Sequence, residues 1–171
     1  MTQPAETPGT PLKSSDFKDG SVLFVHGAPN ARYAWDHGVA MRHYLQGFKE
    51  GKIIGAHFPK SGRTVVPPRA FDERSFSPNV EYVELEQRGT VNTFSICHVT
   101  WDVQIADPPL LPAVIEIDGA DPGCGILHLL GDVDAGDVKI GMKVQPVWKP
   151  EAEREGAVTD IKYWKPAVYE V

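Results

Sequence analysis

The chain has 171 residues, of which 42% are hydrophobic and 23% charged, a composition that can bury a sizeable core and does not favour disorder. Its formal net charge of −6 argues against sequence-independent nucleic-acid binding, which depends on Lys and Arg neutralising phosphates. No apolar run approaches the ~20 residues of a membrane-spanning helix. The N-terminus has neither the basic start nor the apolar segment of a secretory signal, and Cys97 and Cys124 do not make a disulfide framework. We therefore expect a cytoplasmic protein without a membrane segment.

The N-terminal third of the chain predicts a flexible tail over residues 1–20, rich in Thr, Pro, Gly and Ser, and a helical arm over residues 21–56. Apolar residues recur at roughly helical spacing between residues 31 and 50, and Gly51 closes the segment. Gly38 and Gly47 leave open whether this is one helix or two short ones. The aromatic face of the arm either packs on the protein's own body or docks on a partner. The candidate docking residues are Tyr33, Trp35, Tyr44 and Phe48.

Residues 57–78 resemble a zinc ribbon whose metal ligands are missing. The residues that shape its two turns and corner are present, as Pro-Lys-Ser-Gly-Arg over residues 59–63 and Val-Pro-Pro-Arg over residues 66–69. Such a ribbon normally carries a Cys-x-x-Cys pair in each turn. The corresponding positions are Phe58, Ser61, Asp72 and Ser75.

These four side chains do not make a zinc site, because structural zinc requires four thiolate or imidazole ligands in most cases. Asp72 alone cannot hold the ion, so we predict that zinc is absent. Since structural zinc contributes folding free energy, something else must stabilise the module. Phe58, Phe71 and Phe76 lie at or beside the lost positions and are expected to form an apolar plug.

From residue 79 onward the pattern predicts short β-strands. Residues 80–85 alternate, residues 90–101 read as one long strand, and residues 107–112 read as a rigid Pro-rich connection. Further strands are predicted over residues 113–117, 125–130, 140–148 and 157–164, with one helical turn within residues 133–139. Short strands at close intervals, with a small helical insertion before the last ones, favour a five-stranded OB-type barrel over residues 79–171.

The order of motifs carries a family resemblance. A helical arm ending at residues 44–53 precedes the two ribbon motifs, then Gly-Thr-Val at residues 89–91, Pro-Ala-Val-Ile-Glu-Ile-Asp-Gly at residues 112–119, Leu-Leu-Gly-Asp-Val at residues 129–133 and Val-Lys-Ile-Gly-Met-Lys-Val at residues 138–144. Between about residues 21 and 166 the chain resembles the acyl-CoA-associated OB-fold family with a rubredoxin-like zinc ribbon. Members of that family accompany thiolase-like proteins.

The resemblance implies an accessory, non-catalytic subunit in a hetero-oligomer with a thiolase-fold protein, or with a dehydratase or aldolase system acting on CoA thioesters. The partner would supply the nucleophilic Cys for condensation or cleavage, while this chain would shape the CoA or acyl channel. A CoA thioester is then a shared ligand, and no covalently bound cofactor is expected. Phosphates of CoA need Lys or Arg, and the candidates in the ribbon are Lys60, Arg63 and Arg69. The alternatives are an ordinary solvated face and, for Arg69, an ion pair with Asp72 or Glu73.

No catalytic residue is predicted in this chain. Cys97 and His98 are neighbours on a predicted strand and point to opposite faces, so they do not form a dyad. Cys124 has no basic group nearby in sequence to lower its pKa, and His128 within an apolar run is expected to be structural. The alternative function is a stand-alone OB-fold module that binds a nucleic acid or a small ligand, against which the net charge of −6 counts.

Overall fold

A computed structural model describes residues 12–25, 27, 34–78 and 80–167. The chain divides into two compact units, one up to Trp35 and the other from Asp36 onward. The described part of the first unit contains one short helix, α1 (Ser14–Lys18), and an edge-to-face contact between Phe17 and Phe24 with ring centroids 5.6 Å apart. Residues 1–11 of the predicted tail lie outside the described residues. The division into tail, arm, ribbon and barrel stays a prediction.

A single helix, α2 (Gly38–Glu50), opens the second unit and settles the choice between one helix and two. It ends at Gly51, whose φ of 74° is the left-handed conformation that glycine adopts without a steric penalty. Gly47 lies inside this helix, where glycine ordinarily costs stability. A Cβ atom there would lie 2.5 Å from Cγ1 of Ile54, so this glycine lets the helix approach the following strand closely.

The ribbon-like module is a three-stranded antiparallel sheet. Its strands are β1 (Ile53–Phe58), β2 (Arg63–Val65) and β3 (Glu81–Leu85), in the order β2-β1-β3. A small core of Ala56, Phe58 and Val65 lies in this module. Three partly buried residues, Val80, Tyr82 and Cys124, pack against it.

The remaining strands build the predicted barrel and one hairpin. They are β4 (Gly89–Phe94), β5 (Cys97–Val99), β6 (Ile105–Leu110), β7 (Pro112–Ile117), β8 (Gly125–Leu129), β9 (Lys143–Trp148) and β10 (Ile161–Pro166). Five of them form an antiparallel sheet in the order β10-β9-β4-β7-β8, and among the described strands β5 pairs only with β6. A parallel bridge between Leu130 and Trp164 joins the two outer strands of the five. This architecture confirms the predicted mainly β fold with a five-stranded OB-type barrel.

Two predicted elements are wrong in one region. The long strand over residues 90–101 is divided, because the chain leaves the barrel after Phe94 and enters the hairpin at Cys97. The Pro-rich connection over residues 107–112 is largely strand β6. Its two prolines lack an N–H donor but are tolerated, since within the described part of the chain β6 is an edge strand paired with β5 alone.

Helix α2 and the barrel share one hydrophobic core. Its fully buried members come from the helix, from β1 and from the barrel strands: Phe48, Ile53, Val91, Ile115, Val144 and Trp164. The Phe48 ring packs against Tyr44 and Trp148, with centroid distances of 4.5 and 5.7 Å. The helix therefore covers the barrel and is part of its fold.

Two members of this core carry a buried polar atom without a hydrogen-bond partner among the described residues, the Tyr44 hydroxyl and the Trp164 indole N–H. Burial raises the pKa of the Tyr44 hydroxyl. Because an unsatisfied buried hydroxyl costs about 1–3 kcal/mol, we expect Tyr44→Phe to raise the free energy of unfolding by about 1 kcal/mol. Denaturant titration measures this change. Tyr163→Phe is the matched control, because its hydroxyl donates to Asp132 Oδ2 at 3.0 Å and its removal should lower stability. Equal losses in both variants would contradict the expectation.

Candidate functional site

The segment over residues 58–75 of the ribbon-like module is called the ribbon corner below. It holds a buried carboxylate, Asp72, at one of the positions that carry zinc ligands in a zinc ribbon. Asp72 is fully buried, and its Oδ2 accepts hydrogen bonds from the Ser75 hydroxyl at 2.5 Å and from the Ser75 N–H at 3.1 Å. Its Oδ1 accepts from the Arg74 N–H at 3.2 Å. The Ser61 side chain is a further hydrogen-bond partner of this carboxylate. Three of the four lost ligand positions, Ser61, Asp72 and Ser75, thus lie together, with the Asp72 carboxylate accepting from the other two. The fourth, Phe58, belongs to the small apolar core.

Arg63 connects this corner to the rest of the domain. Its Nη1 lies 3.2 Å from Asp72 Oδ1 and 2.8 Å from Glu73 Oε1, while its Nε lies 3.3 Å from Asp121 Oδ2. Arg69 Nη1 lies 2.8 Å from the same Glu73 oxygen. Arg63 holds the pKa of Glu73 down to about 2. The pKa of Asp72 is lowered mainly by the hydrogen bond from the Ser75 hydroxyl, and further by those from Ser61 and two backbone N–H groups. Together these outweigh burial, which acts to raise the pKa.

The donors around Asp72 are suited to an anion and not to a metal ion. Among the described residues no group of three or more His, Cys, Asp or Glu side chains is placed to hold a metal. The absence of zinc remains a prediction, which elemental analysis tests. The predicted aromatic plug is wrong for two of its three members, because Phe71 and Phe76 are 53% and 83% exposed. The hydrogen bonds and ion pairs of Asp72 and Arg63 occupy this part of the module instead.

Replacing the central carboxylate by an amide tests this network. Asp72→Asn places an NH₂ donor among groups that already donate, so we expect a lower unfolding midpoint at pH 7. The pKa of Asp72 is lowered from 3.8, so its contribution is complete above that pH and is lost as the pH falls below it. Wild-type stability should therefore fall over this acid range, and the variant should fall less.

Thermal unfolding from pH 2 to 7 measures both effects. Asp134→Asn, at an exposed aspartate without a side-chain cap hydrogen bond, is the control. If Asp72→Asn matches wild type at pH 7 and keeps the same acid dependence, the network does not stabilise the module.

The three predicted CoA ligands lie around this corner but are engaged to different degrees. The Arg63 side chain is only 14% exposed and pairs with three carboxylates, which gives it a structural role. Arg69 is half-exposed and forms the ion pair with Glu73 that the sequence left open as an alternative. The Lys60 ammonium is exposed and donates to the Ser75 carbonyl at 3.2 Å. Lys60 and Arg69 are therefore the more accessible of the three cations.

The predicted docking residues of the arm separate into two groups. Tyr44 and Phe48 are buried in the chain's own core, so the prediction that they face a partner is wrong. The physical reason is that the barrel leaves an apolar face which α2 covers. Trp35 is largely exposed, and Tyr33 lies outside the described residues.

A different apolar surface projects from the barrel, and the sequence interpretation missed it. The hairpin β5–β6 carries Trp101, Val103 and Ile105 at or beside its tip, and they are 96%, 80% and 85% exposed. The Thr100 N–H donates to the Gln104 carbonyl at 2.9 Å and closes the tip. The alternation of apolar and polar residues over 101–105 was the available signal, but the predicted strand over residues 90–101 ended at Trp101 and residues 102–106 were assigned to no element.

The candidate nucleophiles and bases of the chain are placed for structure. Cys124 is half-buried and packs against both hydrophobic cores, and Cys97 is a half-buried residue of β5. Nδ1 of His128 accepts from the Leu129 N–H at 2.9 Å, and its Nε2 lies 3.3 Å from the Val158 carbonyl oxygen. Both ring nitrogens of His128 are therefore engaged by backbone, as expected for a structural histidine.

Comparison with known proteins finds one family whose model matches most of the barrel. Residues 82–149 match the family described as ChsH2, C-terminal OB-fold domain. No curated protein matches the chain. No described helix is long and apolar enough to cross a bilayer.

Two solved structures are similar in fold. A chain of the Ltp2–ChsH2(DUF35) aldolase has a TM-score of 0.59 and 17% identity, over 80% of this chain and 100% of that one. A DUF35-family protein of unknown function from Sulfolobus solfataricus has a TM-score of 0.55 and 29% identity, over 64% of this chain and 78% of that one. The match of residues 82–149 to this OB-fold family and the two similar folds confirm the family resemblance predicted from the sequence.

Proposed function

We propose that the protein is an accessory, non-catalytic subunit of a thiolase-type enzyme that acts on acyl-CoA thioesters. The observation that carries this proposal is the apolar hairpin β5–β6 on an OB-fold domain of the ChsH2 family. A large side chain held almost fully in water at the tip of a hairpin is typical of an interface anchor. The similar Ltp2–ChsH2(DUF35) aldolase is consistent with a role beside an enzyme.

The chemistry of the hairpin indicates what kind of surface would receive it. Between residues 96 and 111 the acidic residues are Asp102 and Asp107, and there is no Lys or Arg. An apolar hairpin that carries two carboxylates is complementary to an apolar cleft with basic side chains around it. Trp101 offers up to ~150–250 Å² of contact area, a substantial part of the ~800 Å² that one partner contributes to a standard interface.

The ribbon corner supplies the second half of the proposal. Lys60 and Arg69 are exposed cations on a chain of net charge −6, and each is also bonded to the segment around Asp72, Lys60 to the Ser75 carbonyl and Arg69 to Glu73. In a complex they would help to bind the phosphates of a CoA thioester shared with the partner. Cytoplasmic location and the absence of nucleic acid from the complex belong to the same proposal.

Activity measurements test this function. A thiolase-fold protein from the same genome would be assayed with acyl-CoA thioesters alone, with this chain added, and with the chain replaced by a Trp101→Ala variant. We expect the complete pair to show the highest activity, this chain alone to show none, and the variant to restore less than wild type. Turnover of a CoA thioester by this chain alone would overturn the accessory role.

A further inference from the structure

Two surfaces of this chain place large apolar side chains in water. One is the tip of the hairpin β5–β6, with Trp101 and Val103. The other lies at the end of the ribbon corner, where Phe71 is half-exposed and Phe76, directly after the corner, is largely exposed. The antiparallel bridge that follows Phe71, from Asp72 to the residue after Phe76, holds these two rings in one small loop. Exposed apolar side chains that lie together are typical of association sites, so the ribbon corner is a second candidate docking surface.

The backbone adopts an unusual conformation at both surfaces. Val103 has a φ of 64° and Phe76 a φ of 49°, in the left-handed region that β-branched and aromatic residues rarely adopt. Among the described non-glycine residues, Asp132 alone shares this property with them. Both side chains are largely exposed, so burial in the chain's own core does not explain either conformation. Since such conformations are concentrated at functional sites, both surfaces have the properties of docking elements.

The two surfaces carry opposite charge. The hairpin contains Asp102 and Asp107 and has no Lys or Arg, whereas the ribbon corner contains four Lys or Arg residues and two acidic ones. Both acidic residues of the corner already pair with Arg63. Arg74 is exposed, and its guanidinium has no ion pair within the described part of the chain. An acidic apolar hairpin and a basic apolar corner are complementary to each other.

These complementary surfaces lie at opposite ends of the strand pair β4–β7. Strand β4 begins at Gly89, shortly after the ribbon-like module, and ends at Phe94, where the chain leaves for the hairpin. Strand β7 begins at Pro112 beside the hairpin and leads into the turn whose Asp121 pairs with Arg63 of the ribbon corner. A strand of six residues is about 20 Å long. The hairpin and the corner are therefore separated within one chain, and they can meet only between copies.

We propose that this chain associates with itself head to tail, the hairpin of one copy docking on the ribbon corner of the next. The apolar tip of the hairpin covers Phe71 and Phe76, and its carboxylates lie beside Arg74. A pair of copies keeps one free hairpin and one free corner, so association continues to longer chains or closes into a ring. Because only a few side chains take part, we expect a weak association that depends on protein concentration. This inference does not depend on the accessory role, although an enzyme anchored on the hairpin would displace the second copy.

Sedimentation velocity of the isolated full-length protein tests the proposal. We expect the average mass to rise with protein concentration and to pass that of a dimer. Trp101→Ala on the hairpin and Phe76→Asn at the corner should each weaken the association by about tenfold or more. Asn tolerates a positive φ, so Phe76→Asn should unfold at no lower denaturant concentration than wild type. Ile140→Ala, at an exposed apolar residue outside both surfaces, should associate as wild type does.

Mixing the two variants distinguishes a contact between hairpin and corner from a contact between like surfaces. Trp101→Ala keeps an intact corner, and Phe76→Asn keeps an intact hairpin. Each variant alone should be monomeric at concentrations where their mixture forms a heterodimer that grows no further.

The proposal is wrong if wild type stays monomeric at every concentration, if either variant associates as wild type does, or if the mixture stays monomeric. If the protein stays monomeric and Phe76→Asn weakens binding to an enzyme partner, the corner docks on that partner and self-association is ruled out.

Discussion

Trp101→Ala is expected to weaken the complex with a thiolase-fold partner by about 30-fold or more while leaving the fold of this chain intact. Truncation of an anchor Trp at the centre of an interface typically costs at least about 2 kcal/mol of binding free energy, which is this factor in Kd. Because the indole is 96% exposed in the isolated chain, its removal should change the free energy of unfolding by no more than about 0.5 kcal/mol. Isothermal titration calorimetry and denaturant unfolding measure the two quantities.

Ile140→Ala is the matched control for this variant. Ile140 is also a strongly exposed apolar residue, but it lies just before β9 and not on the hairpin. Its truncation should leave both Kd and stability near wild type. If Trp101→Ala and Ile140→Ala bind the partner equally well, the hairpin is not the docking element.

Phe48→Ala is expected to destabilise the protein by about 3–5 kcal/mol, the usual cost of removing a buried aromatic ring from a packed core. Phe48 is fully buried against Tyr44 and Trp148, so its loss leaves a cavity between α2 and the barrel. Since most single domains are stable by only about 5–15 kcal/mol, this is a large fraction of the total. Urea titration followed by tryptophan fluorescence measures the change.

Val39→Ala on the same helix separates core packing from helix propensity. Val39 is exposed, so this variant should stay within about 0.5 kcal/mol of wild type. If Phe48→Ala instead kept wild-type stability and lost only partner binding, Phe48 would be an interface residue and the burial of α2 would be wrong.

The barrel was predictable because its strands obey local rules. In β7 the inward residues Ala113, Ile115 and Ile117 alternate with more exposed ones, and turn residues at Asp118-Gly119 end the strand. The helical turn before β9 was equally visible in the sequence and is the short 3₁₀ turn Ala135–Asp137. Alternation and turn chemistry act over a few residues, so a single sequence contains them.

The helical arm was harder to place. Spacing predicted that α2 would be amphipathic but could not say whether its apolar face meets the barrel or a partner. The close approach of Gly47 to Ile54 and the burial of Phe48 decide this, and both depend on contacts made by the folded chain. The docking prediction failed for that reason.

The hydrogen-bond networks of the ribbon corner and of the loop before β10 were the hardest features to predict from the sequence. The loss of zinc ligands was visible, but the replacement network depends on Arg63 reaching Asp121, 58 residues away in sequence. Asp160 fell within the predicted strand over residues 157–164, but it lies in the 3₁₀ turn Val158–Asp160, where three N–H groups converge on its carboxylate. Such networks join residues whose local sequence pattern does not indicate the contact.

Co-elution with a thiolase-fold protein tests the accessory role most directly. The two proteins would be co-expressed from the genome that encodes them, and size-exclusion chromatography with light scattering would give the mass of the complex. We predict a stoichiometric hetero-oligomer that survives at physiological salt and that Trp101→Ala disrupts. If this chain elutes alone in the presence of the thiolase-fold protein and binds single-stranded DNA under the same conditions, it is a stand-alone OB-fold module and the accessory role is wrong.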